Sequence, residues 1–321
     1  MVGPDYYRRN ALEARTCLSI IRDVSPVITT AIDGGHTTRA GRVAGAFRSI
    51  GREELADSML SMMRQVGYVV KEENPFEEDV RVDIIETSPY AARIKLMWQK
   101  MRPAVISCLA SAGIVQKPQD VTSVLAMMDA TYIKDSYNSL SIEGYKITEG
   151  LLEKVRSGNW DPKNNEEDKE RKNALAARGY YQSYQLLRQN IAEVFAGQDP
   201  SQMYVKNHQS WHFQLFEPCI RAGIIKASDL VGYRTHQVYI RNSMHVPLNP
   251  DAVLDAMMAL SKLMQEEPDV FVRAVLGHFF FVYIHPLMDG NGRTARFTMN
   301  GQLGTCGYPW IVVPVESREE Y

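Results

Sequence analysis

Cysteine is scarce and scattered: Cys17, Cys108, Cys219 and Cys306 are the only four in 321 residues, and no two form a Cys-x-x-Cys pair. That argues against a disulfide framework and a thiolate zinc site, and a reduced, cytoplasmic compartment fits best. Excess charge is missing too. Against 36 Lys and Arg stand 38 Asp and Glu, leaving −2, too balanced to argue from the whole chain for nucleic acid or a membrane surface as partner. Long apolar runs are lacking: the longest, Phe279 to Ile284, falls far short of the roughly 20 residues a spanning helix needs. MVGPDYYRRNALEAR at the start has no apolar heart of a signal peptide, so no membrane association is expected. Internal repeats and low-complexity tracts are absent, and strand signals are few.

What is present is helical periodicity in a composition typical of folded proteins, 45% hydrophobic and 23% charged. Asn249-Pro250-Asp251 reads as a cap with proline at the first helical position, and Val253, Met257, Leu260 and Met264 follow at helical spacing. Arg171 to Phe195 and Arg93 to Leu109 give similar patterns. Pro268 is expected to start a further helix, whose body VFVRAVLGHFFFVYI is apolar on nearly all sides and belongs in the middle of a domain. The fold class expected is all-α. The exception is Gln237 to Pro247, where Val238 and Ile240 alternate with polar neighbours and predict a small β-hairpin. Ser157 to Lys172 reads as a solvated loop. Arg39, Arg42, Arg48 and Arg52 lie in a stretch without acidic residues, read as a solvated helix face in preference to a nucleic-acid patch. A weak boundary near Ala110 to Lys117 divides an N-terminal helical region, 1–115, from a domain spanning 116–321.

One segment concentrates chemistry: His285 to Arg296, HPLMDGNGRTAR. Pro286 forces His285 out of the α region, so the buried helix must end there and deliver the imidazole from a rigid element. Asp289-Gly290-Asn291-Gly292 are residue types that tolerate left-handed dihedrals, which lets successive N–H groups face one concavity and cradle a phosphate. A helix resumes at once, adding its N-terminal dipole. Arg293 and Arg296, three apart on one face, can clamp neighbouring phosphates. Asp289 offers hard oxygen to Mg²⁺, and His285 can take a proton at neutral pH. The other histidines are assigned structural places: His278 in the core, and His36, His208, His212, His236 and His245 without metal spacing.

HPLMDGNGRTAR resembles the signature of Fic-domain proteins, His-Pro-Phe-x-(Asp/Glu)-Gly-Asn-Gly-Arg-x-x-Arg, departing only at Leu287, where the family has Phe. The resemblance runs from about Asn173 to the end. It implies a mainly helical Fic core with a hairpin flap at 237–247, and transfer of AMP from ATP to a hydroxyl of a target protein. By resemblance, His285 would deprotonate the target's Ser, Thr or Tyr, Asp289 would hold Mg²⁺, and Gly290, Asn291 and Gly292 would cradle phosphates. Arg293 and Arg296 would contact the outer phosphates, and the flap would align the target by strand addition.

Ser139-Leu140-Ser141-Ile142-Glu143-Gly144 is similar to the family's inhibitory motif, Ser/Thr-x-x-x-Glu-Gly/Asn, on an inhibitory helix around 131–144. The resemblance implies that Glu143 pairs with Arg296 and keeps ATP out of its productive pose, with Ser139 and Gly144 completing the motif. The expectation is an autoinhibited protein adenylyltransferase. Two alternatives stand beside it: removal of AMP with Glu143 positioning a water, and a non-catalytic nucleotide-sensing or DNA-associated module. The N-terminal region would serve target choice or self-association, and since members with this arrangement often dimerise, a homodimer is an expectation. Resembling sequences usually continue into another helix beyond Tyr321.

Overall fold

The computed structural model describes residues 7, 9–76, 88–112, 119–158, 171–240 and 243–318, and no strand occurs among them. The chain divides into two compact units, residues 1–87 with 223–233, and 88–222 with 234–321.

The first unit contains α1 (Ala11–Ser19), α2 (Ser25–Asp33), α3 (Thr37–Ser49) and α4 (Glu53–Gln65), with a 3-10 turn, Ala227–Leu230, lying on α2. Ile28, Phe47, Met59 and Met63 fill its centre. The arginine-rich stretch is largely tied down within the unit. Arg42 donates to Glu73 at 3.3 Å, and Arg48 to Glu72 at 2.6 Å and Asp57 at 2.7 Å. Arg52 donates to the carbonyls of Ser19 and Ile21, while Arg39 is exposed.

The second unit contains α5 (Pro89–Ala112), α6 (Val121–Ile142), α7 (Glu149–Arg156), α8 (Arg171–Phe195), α9 (Pro200–Arg221), α10 (Pro250–Glu266), α11 (Val270–Ile284) and α12 (Asn291–Thr305). Nearly every side chain of α12 is buried, because α6, α8, α9 and α11 all pack on it. The division between units falls at 87/88 and not near 110–117, since α5 packs on α10 and α11. Trp98 stacks on Phe280, and Arg102 forms a bidentate pair with the buried carboxylate of Glu267 at 2.7 and 2.8 Å. Residues 113–118 lie outside the described residues, as does 159–170 of the expected polar loop.

Local chemistry sets the helix starts. Asn249 caps α10 through Asp251 N at 3.1 Å, with Pro250 at the first turn, as its sequence dictates. α11 starts later than the proline suggested. Asp269 is the cap, because its Oδ1 satisfies two orphan donors, Phe271 N and Val272 N, and Pro268 is left outside the helix. α11 is buried at Val272, Leu276, Phe280, Phe281 and Ile284, whereas Val275 and Phe279 are exposed.

The expected hairpin is not a hairpin among the described residues. Residues 237–240 and 243–249 have no strand pairing, and the tip, Arg241 and Asn242, lies outside those residues. Side chains hold the two arms in place of a ladder: Gln237 Nε2 donates to Pro247 O at 3.0 Å, and Pro247 itself has no N–H to give.

α8 and α9 approach closely at Gly179, where a Cβ would stand 1.9 Å from Leu215 O. Gly179→Ala should therefore push backbone against backbone and destabilise the fold by about 1–3 kcal/mol, read as a lower thermal midpoint.

Candidate active site

The break after α11 builds the site. His285 caps that helix at φ 53, ψ 59, the one non-glycine residue with positive φ among the described residues. It leaves the α region as Pro286 requires, but into the left-handed well, which disfavours a residue bearing a Cβ. Leu287, the departure from the family pattern, is buried and keeps the apolar anchor. Asn291 closes the loop on it: Oδ1 accepts from Leu287 N at 2.9 Å, and Nδ2 donates to Leu287 O at 2.8 Å. Of the Asp289–Gly292 run only Gly290 is left-handed, at φ 84, since Asn291 and Gly292 already open α12.

The loop rests on α9. His212 Nε2 donates to Asp289 O at 3.1 Å, and a Cβ on Gly290 would meet Phe216 at 3.0 Å. Burial pushes the His212 imidazole down to about 4, so it stays neutral and keeps this bond near neutral pH. Sequence reasoning passed over His212, because nothing in its spacing links it to a loop 77 positions away.

His285 Nδ1 lies 3.2 Å from Val282 O, a contact that only Nδ1–H can make, which leaves Nε2 as the unprotonated nitrogen. Burial lowers the His285 pKa below the ordinary value. The Arg234 and His245 charges act in the same direction, while Val282 O and Glu143 oppose them. The ring is therefore a neutral base at neutral pH.

Both arginines face protein partners. Arg293, 1% exposed, donates to Asp289 Oδ1 at 3.2 Å and lies between the rings of Tyr145 and Phe216, 5.2 and 5.1 Å from their centroids. Its Nε makes no hydrogen bond. Arg296 donates from Nε to Ser139 Oγ at 2.8 Å, and from Nη2 to Ser139 O at 3.0 Å and Glu143 Oε1 at 2.7 Å. Glu143 caps the C-terminus of α6, ahead of the left-handed Gly144, and its Oε1 would stand 2.3 Å from a Cβ on Gly292. One carboxylate thus covers the first turn of α12, where the amides have no carbonyl a turn earlier. One turn before Ser139, the buried Asp135 accepts from Tyr180 OH at 2.5 Å, and burial raises its carboxyl to about 6.

No group of three or more His, Cys, Asp or Glu able to hold a metal lies among the described residues. Asp289 offers a single carboxylate, 64% exposed, whose Oδ1 takes bonds from Gly290 N and Arg293. That suits Mg²⁺ held chiefly by substrate phosphates and water, and does not suit a closed protein cage.

Residues 204–303, which run from α9 to α12, match the model of the Fic/DOC family. It is this stretch, under a third of the chain, that is similar to the family. Protein adenylyltransferase Fic of Nematostella vectensis is 39% identical over 93 residues, 28% of this chain and 21% of that protein. Protein adenylyltransferase fic-1 of Caenorhabditis elegans is 36% identical over 92 residues, 27% of this chain and 18% of that protein. The matches thus span about a fifth of these relatives' length. Among solved structures, C. elegans Fic-1 (residues 134–508) is 18% identical, with a TM-score of 0.47, covering 98% of this chain and 88% of that chain.

His208, like His212, is buried with its pKa pushed down to about 4 by desolvation. Their folded values lie below the unfolded value near 6.5, so the stability they contribute is complete above about 6.5 and is lost as pH falls toward about 4. The thermal midpoint should drop through that window, and His212→Gln should flatten the drop relative to wild type in parallel melts.

Proposed function

We propose that the chain is an autoinhibited protein adenylyltransferase, moving AMP from Mg·ATP to a Ser, Thr or Tyr hydroxyl of a target protein. The single observation that carries it is the Glu143–Arg296 pair at the start of α12, in the same loop-helix unit as a neutral, left-handed His285. The named adenylyltransferase relatives of this stretch support the same reading.

His285 Nε2 would take the proton as the acceptor oxygen bonds to the α-phosphorus. The bond from that phosphorus to the bridging oxygen breaks, and pyrophosphate leaves with both electrons. Mg²⁺ at Asp289 would offset phosphate charge. The α12 amides at Gly292 and its neighbours would receive phosphate oxygens, with Arg296 holding the outer phosphates.

In the structure that anion position belongs to Glu143. A phosphate must displace a carboxylate from a guanidinium that is 3% exposed, and so must first match a charge-assisted hydrogen bond worth about 1.5–3 kcal/mol. Glu143 is itself 27% exposed, so water regains part of that cost on its side. The opposition is strong enough to hold most molecules off and weak enough to be reversed. Arg293 is screened alongside, under Tyr145 two residues past Glu143.

With α-labelled ATP and Mg²⁺, wild type should label itself or a lysate protein weakly. Glu143→Gly should label at least about tenfold faster, equivalent to ~1.4 kcal/mol, and Glu143→Gly/His285→Ala should not label. Equal labelling by wild type and Glu143→Gly removes the inhibition, and label retained without His285 removes the assigned base.

A further inference from the structure

Arg234 is 4% exposed, and no ion pair to it occurs among the described residues. Its partners are carbonyls. Nε donates to His285 O at 2.7 Å, Nη1 to His236 O at 2.9 Å, and Nη2 to Leu248 O at 2.5 Å, with Ile284 O at 3.5 Å. Its backbone N–H donates to Pro286 O at 2.8 Å. One residue thus bridges the last carbonyl of α11, both residues of the His-Pro break, and the two ends of the 237–247 segment.

Only arginine suits that geometry. Its planar fork carries five N–H donors and no acceptor, whereas lysine has three donors on one point. The cation also sits at the C-terminus of α11, where orphan carbonyls and the helix dipole favour positive charge and replace part of the water it gave up. Desolvation alone lowers its pKa, as expected for a buried cation balanced by dipoles and not by an acid.

The grip explains two features together. His285 is held in a left-handed conformation that Pro286 alone does not demand, and Arg234 binds the peptide on both sides of it. The 237–247 segment shows no strand ladder among its described residues, yet the carbonyls flanking its two ends are tied to the same guanidinium. A second tie runs from His245, whose Nε2 meets Tyr283 O at 2.8 Å and whose ring stacks on Tyr283 at 4.7 Å.

We propose that Arg234 is a positioning residue that locks the His285 backbone to both ends of the 237–247 segment, so that the base and the surface receiving the target chain keep one fixed spacing. This rests on the adenylyltransferase reading for its effect on rate, but the coupling itself is a property of the fold. Arg234 spends its donors on backbone carbonyls of this chain and so acts through them. Its loss should slow transfer while leaving ATP bound. A misplacement of about 1 Å lowers rates by about 100-fold, and that is the loss expected.

Charge and geometry separate in the test. In the Glu143→Gly background, Arg234→Lys keeps the cation but cannot reach all the carbonyls, and Arg234→Met removes both. The groups whose charges face His285 are Arg234, His245 and Glu143, the last absent in this background. Arg234→Lys should label about 100-fold more slowly, with fluorescent ATP-analogue affinity within twofold of the parent and the His285 imidazole titrating as before by NMR. Arg234→Met should show the same loss of rate and a His285 titration shifted to higher pH. Circular dichroism identifies any variant that fails to fold, and Arg234→Lys, which keeps charge and stem, is the one to read if Arg234→Met does. Unchanged labelling by folded Arg234→Lys overturns the proposal, as does an equal fall in ATP affinity. If Glu143→Gly itself never labels, the transferase reading fails separately. Backbone amide shifts then decide the coupling: in folded Arg234→Lys, unmoved N–H resonances at His285, Gln237 and Leu248 overturn it too.

Discussion

Two guanidinium groups, Arg293 and Arg296, are buried in the first two turns of α12, and the rest of the site is arranged around satisfying them. A buried cation needs an anion, a dipole or an aromatic face. Arg296 takes a hydroxyl, a carbonyl and a carboxylate from the end of α6, and Arg293 takes a carboxylate from its own loop and two rings. The partners of Arg296 and one of the rings on Arg293 come from a single stretch, Ser139 to Tyr145. Movement of that stretch would withdraw Ser139 and Glu143 from Arg296 and one ring from Arg293 together, at the point where helix amides already favour an anion.

The surrounding framework is rigid where this demands it. α12 is enclosed by α6, α8, α9 and α11, and the loop before it is fixed from several directions: Leu287 pressed inward, Asn291 clasping the Leu287 backbone, His212 holding Asp289 O from below, and Arg234 gripping the carbonyls beside the helix break. Apart from the buried Leu287 side chain, these contacts act on backbone, and together they hold the loop in place. The same scaffold leaves His285 Nε2 without a proton, Asp289 exposed, and Glu143 only partly buried, so the groups that must exchange partners remain within reach of water.

Much of this was legible along the chain. Helical periodicity placed α8 at both ends, Asn249-Pro250 opened α10, and the His285–Arg296 run announced a helix break, a glycine-bearing turn and a helix resuming with two arginines. The pairing of Glu143 with Arg296 was reachable only through resemblance to other sequences, since 153 positions separate them. Less legible were features in which local rules compete. Asp269 outdid Pro268 as a helix start because one carboxylate satisfies two amides, and the alternating Gln237–Pro247 segment has no ladder among its described residues, where side-chain donors hold His236 O and Pro247 O.

The sequence by itself determined the residue types and their short-range spacing: where most helices start, where α11 must break, and which dozen positions gather a histidine, a carboxylate, glycines and two arginines. These depend on caps, proline sterics and periodicity, which act over a few residues. Only the tertiary structure decided what each of those groups faces. Packing turned both arginines inward, set a glutamate from the end of α6 on the first turn of α12, made His212 a neutral support and Arg234 a bridge between the His-Pro break and the ends of the 237–247 segment. Such contacts join residues dozens to more than a hundred positions apart, and burial, not sequence proximity, sets their strength.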